Sequence, residues 1–431
     1  MTLSQRDKKI IWHPFTQEKT APDVISIKRA QGSYLYDEND KPYLDLISSW
    51  WVNIHGHAHP EIAKSIYEQA KTLEHVIFAG FTHEPAVNLC ENLQEILPPK
   101  LCKFFFSDNG STAIEVAIKM AHQYWRNLGF SEKTTFLSFE GGYHGDTFGA
   151  MSVGAKSGFH SPFTDLFFNV LSLPYPHTWE GDEEVDRKEE EAIKALRNYL
   201  DQYQQNISAI ILEPLIQGAS GMRICRPRFI KDVIHLMHQN NILVIFDEIM
   251  TGFYRTGTYF GFNQLDIIPD FLCISKGITG GFLPLALTIT KNEVYEAFLG
   301  DDFKTAFAHG HSYTANPLSC RAAISSLNLL KSLECRNAIK NIHETHKAGI
   351  EFLKTECSKV ERIRNLGTIA AFDIRGSQHL MAMIKKCFLE EGMLLRPLGT
   401  TIYLLPPYCI SQEDLKLAYD KIGKIIKSLW N

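Results

Sequence analysis

The stretch ILVIFDEIMTGFYRTG, residues 242–257, begins as an unbroken run of apolar residues that stops abruptly at two carboxylates. Such a run is typical of a β-strand that is buried on both faces. The two acids, Asp247 and Glu248, stand where this strand would end. Because a carboxylate at that edge is costly without a partner, the sequence predicts a positively charged group opposite Asp247.

Short apolar runs and helical periodicity alternate around this stretch. The predicted strands span residues 103–107, 135–139, 208–214, 242–248 and 271–275, and the predicted helices span 112–127, 189–205 and 228–240. This alternation predicts an α/β fold with a mostly parallel sheet flanked by helices. Ligands of such sheets bind beyond the carboxyl ends of the strands, which is where polar residues collect in this sequence.

The pattern changes after about residue 325, where antiparallel strands at 367–374 and 401–408 are framed by predicted helices. We interpret this part as a smaller α+β domain, and SYLYDENDKPYLDL (33–46) as a hairpin that packs with it. The predicted units are an N-terminal segment at 1–60, a large α/β domain at 61–325 and a small domain at 326–431. The small domain would therefore be built from both termini.

Composition and charge favour a soluble intracellular protein. The 431 residues carry a formal net charge of −5, which offers no electrostatic basis for binding nucleic acid or an anionic membrane. The N-terminus lacks the apolar core of a signal peptide. Nine cysteines without a CxxC pair fit reduced thiols, so we expect a cytoplasmic location.

Four glycine-lined or charged features fall at the predicted sheet edge. In SDNGSTAIEVA (107–117), Gly110 and Ser111 precede a helix whose first amides could cradle a phosphate, although a plain N-cap by Ser111 or Thr112 is the alternative. In EGGYHGDTFGA (140–150), Tyr143 could stack on a flat ring or be an ordinary surface tyrosine.

The remaining two features are Asp247 and Lys276, which follow neighbouring predicted strands. Lys276 in CISKGITGGFLPLA (273–286) could be a surface lysine or could bind an aldehyde. A phosphate cradle, a stacking ring, a carboxylate and a lysine together complement pyridoxal 5′-phosphate. On this interpretation, the positively charged group predicted opposite Asp247 is the protonated ring nitrogen of the cofactor.

The motifs DEIMTGFYRTG and SKGITGG resemble the signature of the class III aminotransferases, a family with the fold type I architecture of pyridoxal-phosphate enzymes. Further similar blocks cover nearly the whole chain, among them IWHPFTQ (11–17), SSWWVNIHGHAHPE (48–61), HGHSYTANPLSC (309–320) and LLRPLGTTIYLLPPY (394–408). They most resemble the members that transfer the amino group of S-adenosyl-L-methionine to 8-amino-7-oxononanoate, which gives 7,8-diaminononanoate in biotin biosynthesis.

The resemblance implies a role for each residue of the cofactor site. Gly110 and Ser111 would bind the phosphate, Tyr143 would stack on the ring and contact substrate, Asp247 would hold the ring nitrogen, and Lys276 would bind the aldehyde covalently. These roles match those read from the residues alone.

The resemblance also implies a homodimer with shared active sites. The partner subunit would add phosphate ligands from the segment of His311 and Ser312, with Gly310 near the substrate. Arg396 would hold the substrate carboxylate. Trp50 would form an apolar wall against the substrate chain, while core packing is the alternative for Trp50 and Trp51.

Two segments depart from the family pattern. Phe15 stands where better-known members have a tyrosine, so one hydroxyl contact to substrate is missing. His311 and Ser312 stand where many members have proline and threonine, and the serine keeps the hydroxyl.

Several alternatives stay open on sequence alone. Another class III aminotransferase could use an ω-amine such as 4-aminobutyrate or ornithine, and a variant of the biotin-pathway enzyme could use lysine. The alternating His55, His57 and His59 could bind zinc, although we expect no metal because the segment carries glycine and proline. A non-enzymatic scaffold would not need the chemical residues, all of which are present.

Overall fold

The computed structural model describes residues 1–154 and 160–429. Within these residues the chain forms sixteen strands: β1 (Ile27–Gln31), β2 (Tyr34–Asp37), β3 (Pro42–Asp45), β4 (Leu101–Ser107), β5 (Thr135–Phe139), β6 (Val170–Leu173), β7 (Ile207–Leu212), β8 (Ile216–Gln217), β9 (Arg223–Ile224), β10 (Leu243–Asp247), β11 (Phe271–Ile274), β12 (Ala286–Lys291), β13 (Val360–Leu366), β14 (Ile369–Ile374), β15 (Met393–Leu394) and β16 (Thr401–Leu404).

The same residues form thirteen α-helices: α1 (Leu3–Asp7), α2 (Ser48–Trp51), α3 (Pro60–Ala70), α4 (Glu84–Gln94), α5 (Gly110–Asn127), α6 (Phe148–Val153), α7 (Val185–Tyr203), α8 (Pro227–Gln239), α9 (Asn292–Glu296), α10 (Pro317–Lys331), α11 (Leu333–Glu356), α12 (Gln378–Glu390) and α13 (Gln412–Ser428). Short 3₁₀ helices span Ser161–Leu166, Gln204–Asn206, Gly261–Gln264, Lys276–Thr279 and Phe303–Thr305.

A seven-stranded sheet in the order β4-β12-β11-β10-β7-β5-β6 forms the centre of the molecule. β10 runs parallel to β7 and β11, and β5 runs parallel to β7 and β6. β12 is antiparallel to both of its neighbours, β11 and β4. Every residue of β7 and β10 is buried, which explains their continuous apolar sequences. The predicted α/β class with a mostly parallel sheet is confirmed.

Helices cover both faces of this sheet. Val244 and Phe246 of β10 belong to the hydrophobic cluster that includes the buried face of α8. Leu243 and Ile245, which alternate with them, belong to a second cluster with the buried face of α5. The strand is therefore sealed on both sides, and a polar group can reach solvent or a ligand at its end.

Strands from the two ends of the chain meet in one of the small sheets. In the sheet β1-β2-β3-β15, the C-terminal strand β15 pairs in parallel with the N-terminal strand β3. β2 and β3 form the predicted antiparallel hairpin. A second small sheet, β13-β14-β16, is antiparallel. The smaller α+β part is thus built from both termini, as predicted, while the boundaries at residues 60 and 325 stay predictions.

Two further features concern the whole chain. No helix in the described residues combines the length and the apolar character needed to cross a bilayer. All nine cysteines are free in the structure.

The crossing of α11 and α13 generates a test of the core. Gly349 packs against the ring of Tyr419, which is buried and hydrogen-bonded through its hydroxyl to His346 Nδ1 at 2.8 Å. A methyl group at Gly349 would overlap a ring that cannot move easily. We expect Gly349→Ala to lower the free energy of unfolding by about 1–3 kcal/mol, measured by denaturant unfolding.

Gly423→Ala on α13 is the matched control. It also adds a methyl group to a helical glycine, but the nearest atom belongs to Phe352, at 3.1 Å, and this side chain is 37% exposed and can shift. Because alanine favours helix over glycine, we expect the control to be neutral or stabilising. Equal destabilisation by both changes would contradict the packing argument.

Candidate active site

A cavity of about 450 Å³ opens where the strands of the large sheet end. Much of its lining comes from the segments that follow β4, β5, β7, β10 and β11, as expected for a parallel sheet. Seven of the residues selected from sequence line it: Trp50, Gly110, Ser111, Tyr143, Asp247, Lys276 and Arg396. The fold therefore brings residues that are far apart in sequence into one space.

The start of α5 differs from both capping alternatives considered from sequence. The N-cap is Asn109, whose side chain accepts a hydrogen bond from the Thr112 amide at 3.1 Å, and the helix begins at Gly110. Ser111 is therefore not the cap, and its hydroxyl accepts the Asp146 amide at 3.2 Å. The amides of the first turn face a region where an anion is favoured by the helix dipole.

Two glycines keep this helix terminus accessible. A side chain at Gly110 would lie 2.9 Å from Ile249, and a side chain at Gly145 would overlap Ser111. Gly145 also has a φ of +125°, which few other residues adopt. Both glycines line the cavity, so at these two positions no side chain lies between the start of α5 and the cavity.

Asp247 is buried at the end of β10 and already has two donors. Its Oδ1 atom accepts the Ile249 amide at 3.0 Å, and its Oδ2 atom lies 2.7 Å from His144 Nδ1. His144 is 2% exposed, and its Nε2 atom has no hydrogen-bond partner among the described residues. The sequence placed His144 at this edge, but no role was assigned to it. The histidine holds the carboxylate of Asp247 in one orientation.

Glu213 is a further acid in the cavity that was not selected from sequence. Its two oxygens accept the amides of Tyr143 at 3.1 Å and Gly218 at 2.9 Å. Burial raises the pKa of Glu213 to about 7, His144 opposes this shift, and Asp247 adds to it. The sequence could have indicated Glu213, because this acid directly follows the apolar run of β7. Asp247 has the corresponding position at the end of the apolar run of β10.

Lys276 follows β11 and begins a 3₁₀ helix. Burial lowers the pKa of the Lys276 amine, while Asp247 and Glu213 act against this shift and Arg255 adds to it. The amine lies 4.5 Å from the centre of the Trp51 ring. A lysine with a lowered pKa is more often neutral, which is the form that can act as a nucleophile or a base.

Both tryptophans of the SSWW motif line the cavity, so neither is purely a core residue. Trp51 is buried and donates from Nε1 to the Tyr403 hydroxyl at 3.1 Å. Trp50 is 38% exposed, with the Arg396 guanidinium 4.2 Å above its ring. Phe15 packs edge-on against Trp50 at 5.6 Å. The result is an aromatic wall beside one arginine.

Tyr143 is half-buried and points its hydroxyl to Asp146, with a hydrogen bond of 2.8 Å. Burial, together with this bond, raises the pKa of the Tyr143 hydroxyl. Its ring stacks on His160 with 6.0 Å between centroids.

The described residues that line the cavity do not include Gly310, His311 or Ser312. Gly310 and Ser312 are exposed, and His311 is half-buried. The structure of the single chain does not bring this segment to its own cavity. Their assignment to a partner's site therefore stays a prediction.

The histidines of HGHAHPE make contacts other than to a metal. His55 Nε2 lies 3.1 Å from Ser326 Oγ, and His57 Nε2 lies 2.9 Å from Asp45 Oδ2. Within the described part of the chain, no cluster of three potential ligands could hold a metal ion.

The residues of the cavity fit the cofactor expected from sequence. An uncovered helix terminus suits a phosphate, Asp247 suits a protonated ring nitrogen, and Lys276 suits an aldehyde. The orphaned Nε2 atom of His144 is also consistent with a site completed by a polar ligand or water.

The family model for class-III aminotransferases matches residues 15–426. An adenosylmethionine-8-amino-7-oxononanoate aminotransferase from Synechococcus elongatus is 47% identical over 424 residues, 97% of this chain and 99% of the relative. A solved enzyme of the same name from Methanocaldococcus jannaschii has a TM-score of 0.91 and is 33% identical in sequence. The match covers 99% of this chain and 98% of the solved chain. A PLP-bound amine transaminase from an uncultivated Pseudomonas species has a TM-score of 0.90 and is 27% identical in sequence. The match covers 97% of this chain and 98% of the solved chain. The chain belongs to the class-III aminotransferase family.

Proposed function

We propose that this aminotransferase uses pyridoxal 5′-phosphate to move the amino group of S-adenosyl-L-methionine to 8-amino-7-oxononanoate. The product, 7,8-diaminononanoate, would serve biotin biosynthesis. The 47% identical relative from Synechococcus elongatus, matched over nearly its full length, supports this choice of substrates. The nine free cysteines are consistent with the cytoplasm as the location.

One observation carries the proposal: a single cavity contains Lys276, Asp247, Trp50 and Arg396. The first two suit an amino-group transfer, and the last two suit a long acid. An arginine can bind a carboxylate through two parallel hydrogen bonds, and an indole can cover the hydrocarbon chain. The substrate we propose has both a carboxylate and an apolar chain.

Four residues would hold the phosphate and the ring of the cofactor. The start of α5 with Gly110 and Ser111 would bind the phosphate, and Tyr143 would cover one face of the ring. Asp247 would keep a proton on the ring nitrogen, with His144 fixing the orientation of its carboxylate. The chemistry that the cofactor supplies when bound is an aldehyde that accepts the amino group and a ring that withdraws electrons.

Lys276 would bind the cofactor aldehyde and then act as the base. In that second role, the neutral amine of Lys276 would take the proton from the donor α-carbon and would carry it to the cofactor carbon that bears the aldehyde. Burial favours the neutral amine, as the lowered pKa of Lys276 indicates. In the second half of a ping-pong cycle, Arg396 would anchor the keto acid while Trp50 and Trp51 exclude water from its chain.

The donor is tested by single half-reactions. The protein is loaded with pyridoxal phosphate and mixed separately with S-adenosyl-L-methionine, lysine, ornithine or 4-aminobutyrate while the visible absorption is followed. We expect S-adenosyl-L-methionine to remove the absorption of the aldehyde form. Loss with ornithine or 4-aminobutyrate but not with S-adenosyl-L-methionine would assign the chain to the ω-amine users, and loss with lysine alone would indicate the lysine-dependent variant.

Lys276→Ala tests the covalent link. We expect the loaded variant to lose the visible absorption of the lysine-bound form, and borohydride to fix no cofactor to the chain, because no other lysine among the described residues lines the cavity. The control is Lys340→Ala, an exposed lysine on α11. If Lys276→Ala retains both signals, Lys276 does not have the proposed role.

We further propose that the enzyme is a homodimer whose subunits share active sites. The segment of Gly310, His311 and Ser312 is mostly exposed in the single chain and does not reach its own cavity, which supports a place beside a partner's site. The His311 Nε2 atom is buried without a hydrogen-bond partner among the described residues, so it is available to an additional group.

Complementation tests the shared sites. Lys276→Ala and Ser312→Ala chains are each expected to have low activity, and refolding them together should restore activity. The reason is that a mixed dimer contains one site with Lys276 from one chain and Ser312 from the other. No recovery in a mixture that sedimentation shows to contain mixed dimers would contradict the shared-site proposal.

A further inference from the structure

The two tryptophans of the cavity lie in α2, a four-residue segment whose backbone is a strained turn and not a regular helix. Ser48, Ser49 and Trp51 have φ values of 51°, 60° and 70°, in the left-handed region that residues other than glycine rarely adopt. Such conformations persist only where surrounding contacts hold them, and they concentrate at functional sites. The contacts that hold this turn therefore bear on how the cavity works.

Asp45, at the end of β3, is the centre of those contacts. It is completely buried. Its Oδ1 atom accepts the Ile47 amide at 3.1 Å, and its Oδ2 atom accepts the Ser49 hydroxyl at 3.1 Å. His57 Nε2 lies 2.9 Å from the same Oδ2 atom. One carboxylate thus contacts the turn on both sides of Ser48 and receives a third bond from a histidine.

His57 connects this carboxylate to the far end of the turn. Its Nδ1 atom lies 3.0 Å from the side-chain nitrogen of Asn53, whose oxygen accepts the Gly56 amide at 2.7 Å. Since Asn53 donates to Nδ1, Nε2 carries the proton and donates to Asp45. The turn between residues 47 and 53 is therefore held at its start and at its end by one chain of hydrogen bonds.

Asp45 also lies beside β15, the strand that precedes Arg396. β3 pairs in parallel with β15, with Asp45 opposite Leu394, and the Leu46 amide donates to the Leu394 carbonyl at 3.3 Å. Arg396 comes two residues later and stacks on Trp50 at 4.2 Å. Trp50 and Arg396 therefore both follow strands of the pair β3 and β15, where Asp45 is buried.

We propose that Asp45 and His57 form a positioning pair that fixes Trp50 against Arg396 for binding a substrate carboxylate. The inference rests on the proposed function, in which Arg396 receives that carboxylate. Neither member of the pair lines the cavity among the described residues, so the pair acts through the turn and does not touch substrate. It also accounts for part of the HGHAHPE motif without a metal.

The test uses nonanoate, an unreactive carboxylate with the chain length of the proposed keto acid, titrated calorimetrically into the cofactor-loaded enzyme. We expect His57→Gln and Asp45→Asn to weaken nonanoate binding about tenfold, because a hydrogen bond to a charged group is lost. In turnover, KM for the keto acid should rise by a similar factor while kcat and the visible absorption of the cofactor stay near those of the wild type.

His59→Gln is the matched control, since His59 lies in the same motif but contacts the ring of His55. We expect it to bind nonanoate like the wild type. A double-mutant cycle separates positioning from general stability: in an Arg396→Ala background, Asp45→Asn should weaken binding little further. Ser49→Ala, which removes one donor to Asp45, provides a milder variant if Asp45→Asn fails to fold.

The inference is overturned if His57→Gln and Ser49→Ala bind nonanoate normally, if His59→Gln has the same effect, or if the Asp45 and Arg396 losses add. Failure of the proposed function is a separate result. If no donor leads to amination of the keto acid but nonanoate binding follows the expected pattern, the positioning pair is supported and the substrate assignment is wrong.

Discussion

A carboxylate buried at the end of a sheet strand must be met by hydrogen-bond donors, and the centre of this protein is built around that requirement. Asp247 receives the Ile249 amide and His144, and its surroundings open into the cavity. Its neighbour Glu248 points elsewhere and is satisfied by Thr251, Gly261 and Phe262. Of these two adjacent acids, Glu248 therefore stabilises a loop, whereas Asp247 lines the cavity in which a ligand would bind.

The cavity is composite because the sheet supplies only part of it. Lys276, Asp247 and the start of α5 come from strand ends of the large sheet, whereas Trp50 and Arg396 come from the two termini through β3 and β15. The strained turn of Ser48 to Trp51 lies at that junction. On the proposed function, substrate recognition would therefore depend on how the small sheet is held, while the chemistry would depend on the large sheet.

Much of this arrangement could be predicted from local sequence. The buried strands β7 and β10 read directly as apolar runs, and Asp247 and Lys276 could be selected because charged residues are unusual after such runs. Other features could not. The antiparallel direction of β12 leaves no mark on its composition, since antiparallel and parallel strands can bury similar residues. The cap at Asn109 was missed because several neighbouring side chains could serve as caps.

Residues whose role comes from a distant partner were the hardest to find. His144 matters through Asp247, which is 103 residues away, and Trp51 bonds Tyr403 from the other end of the chain. Periodicity and strand-end polarity were enough to predict the fold class and to select the sheet edge and several residues that line the cavity, because these follow from local burial. Which side chains touch, how the acids are oriented and which backbone is strained follow from packing between distant segments, and such contacts have no local signature in the chain.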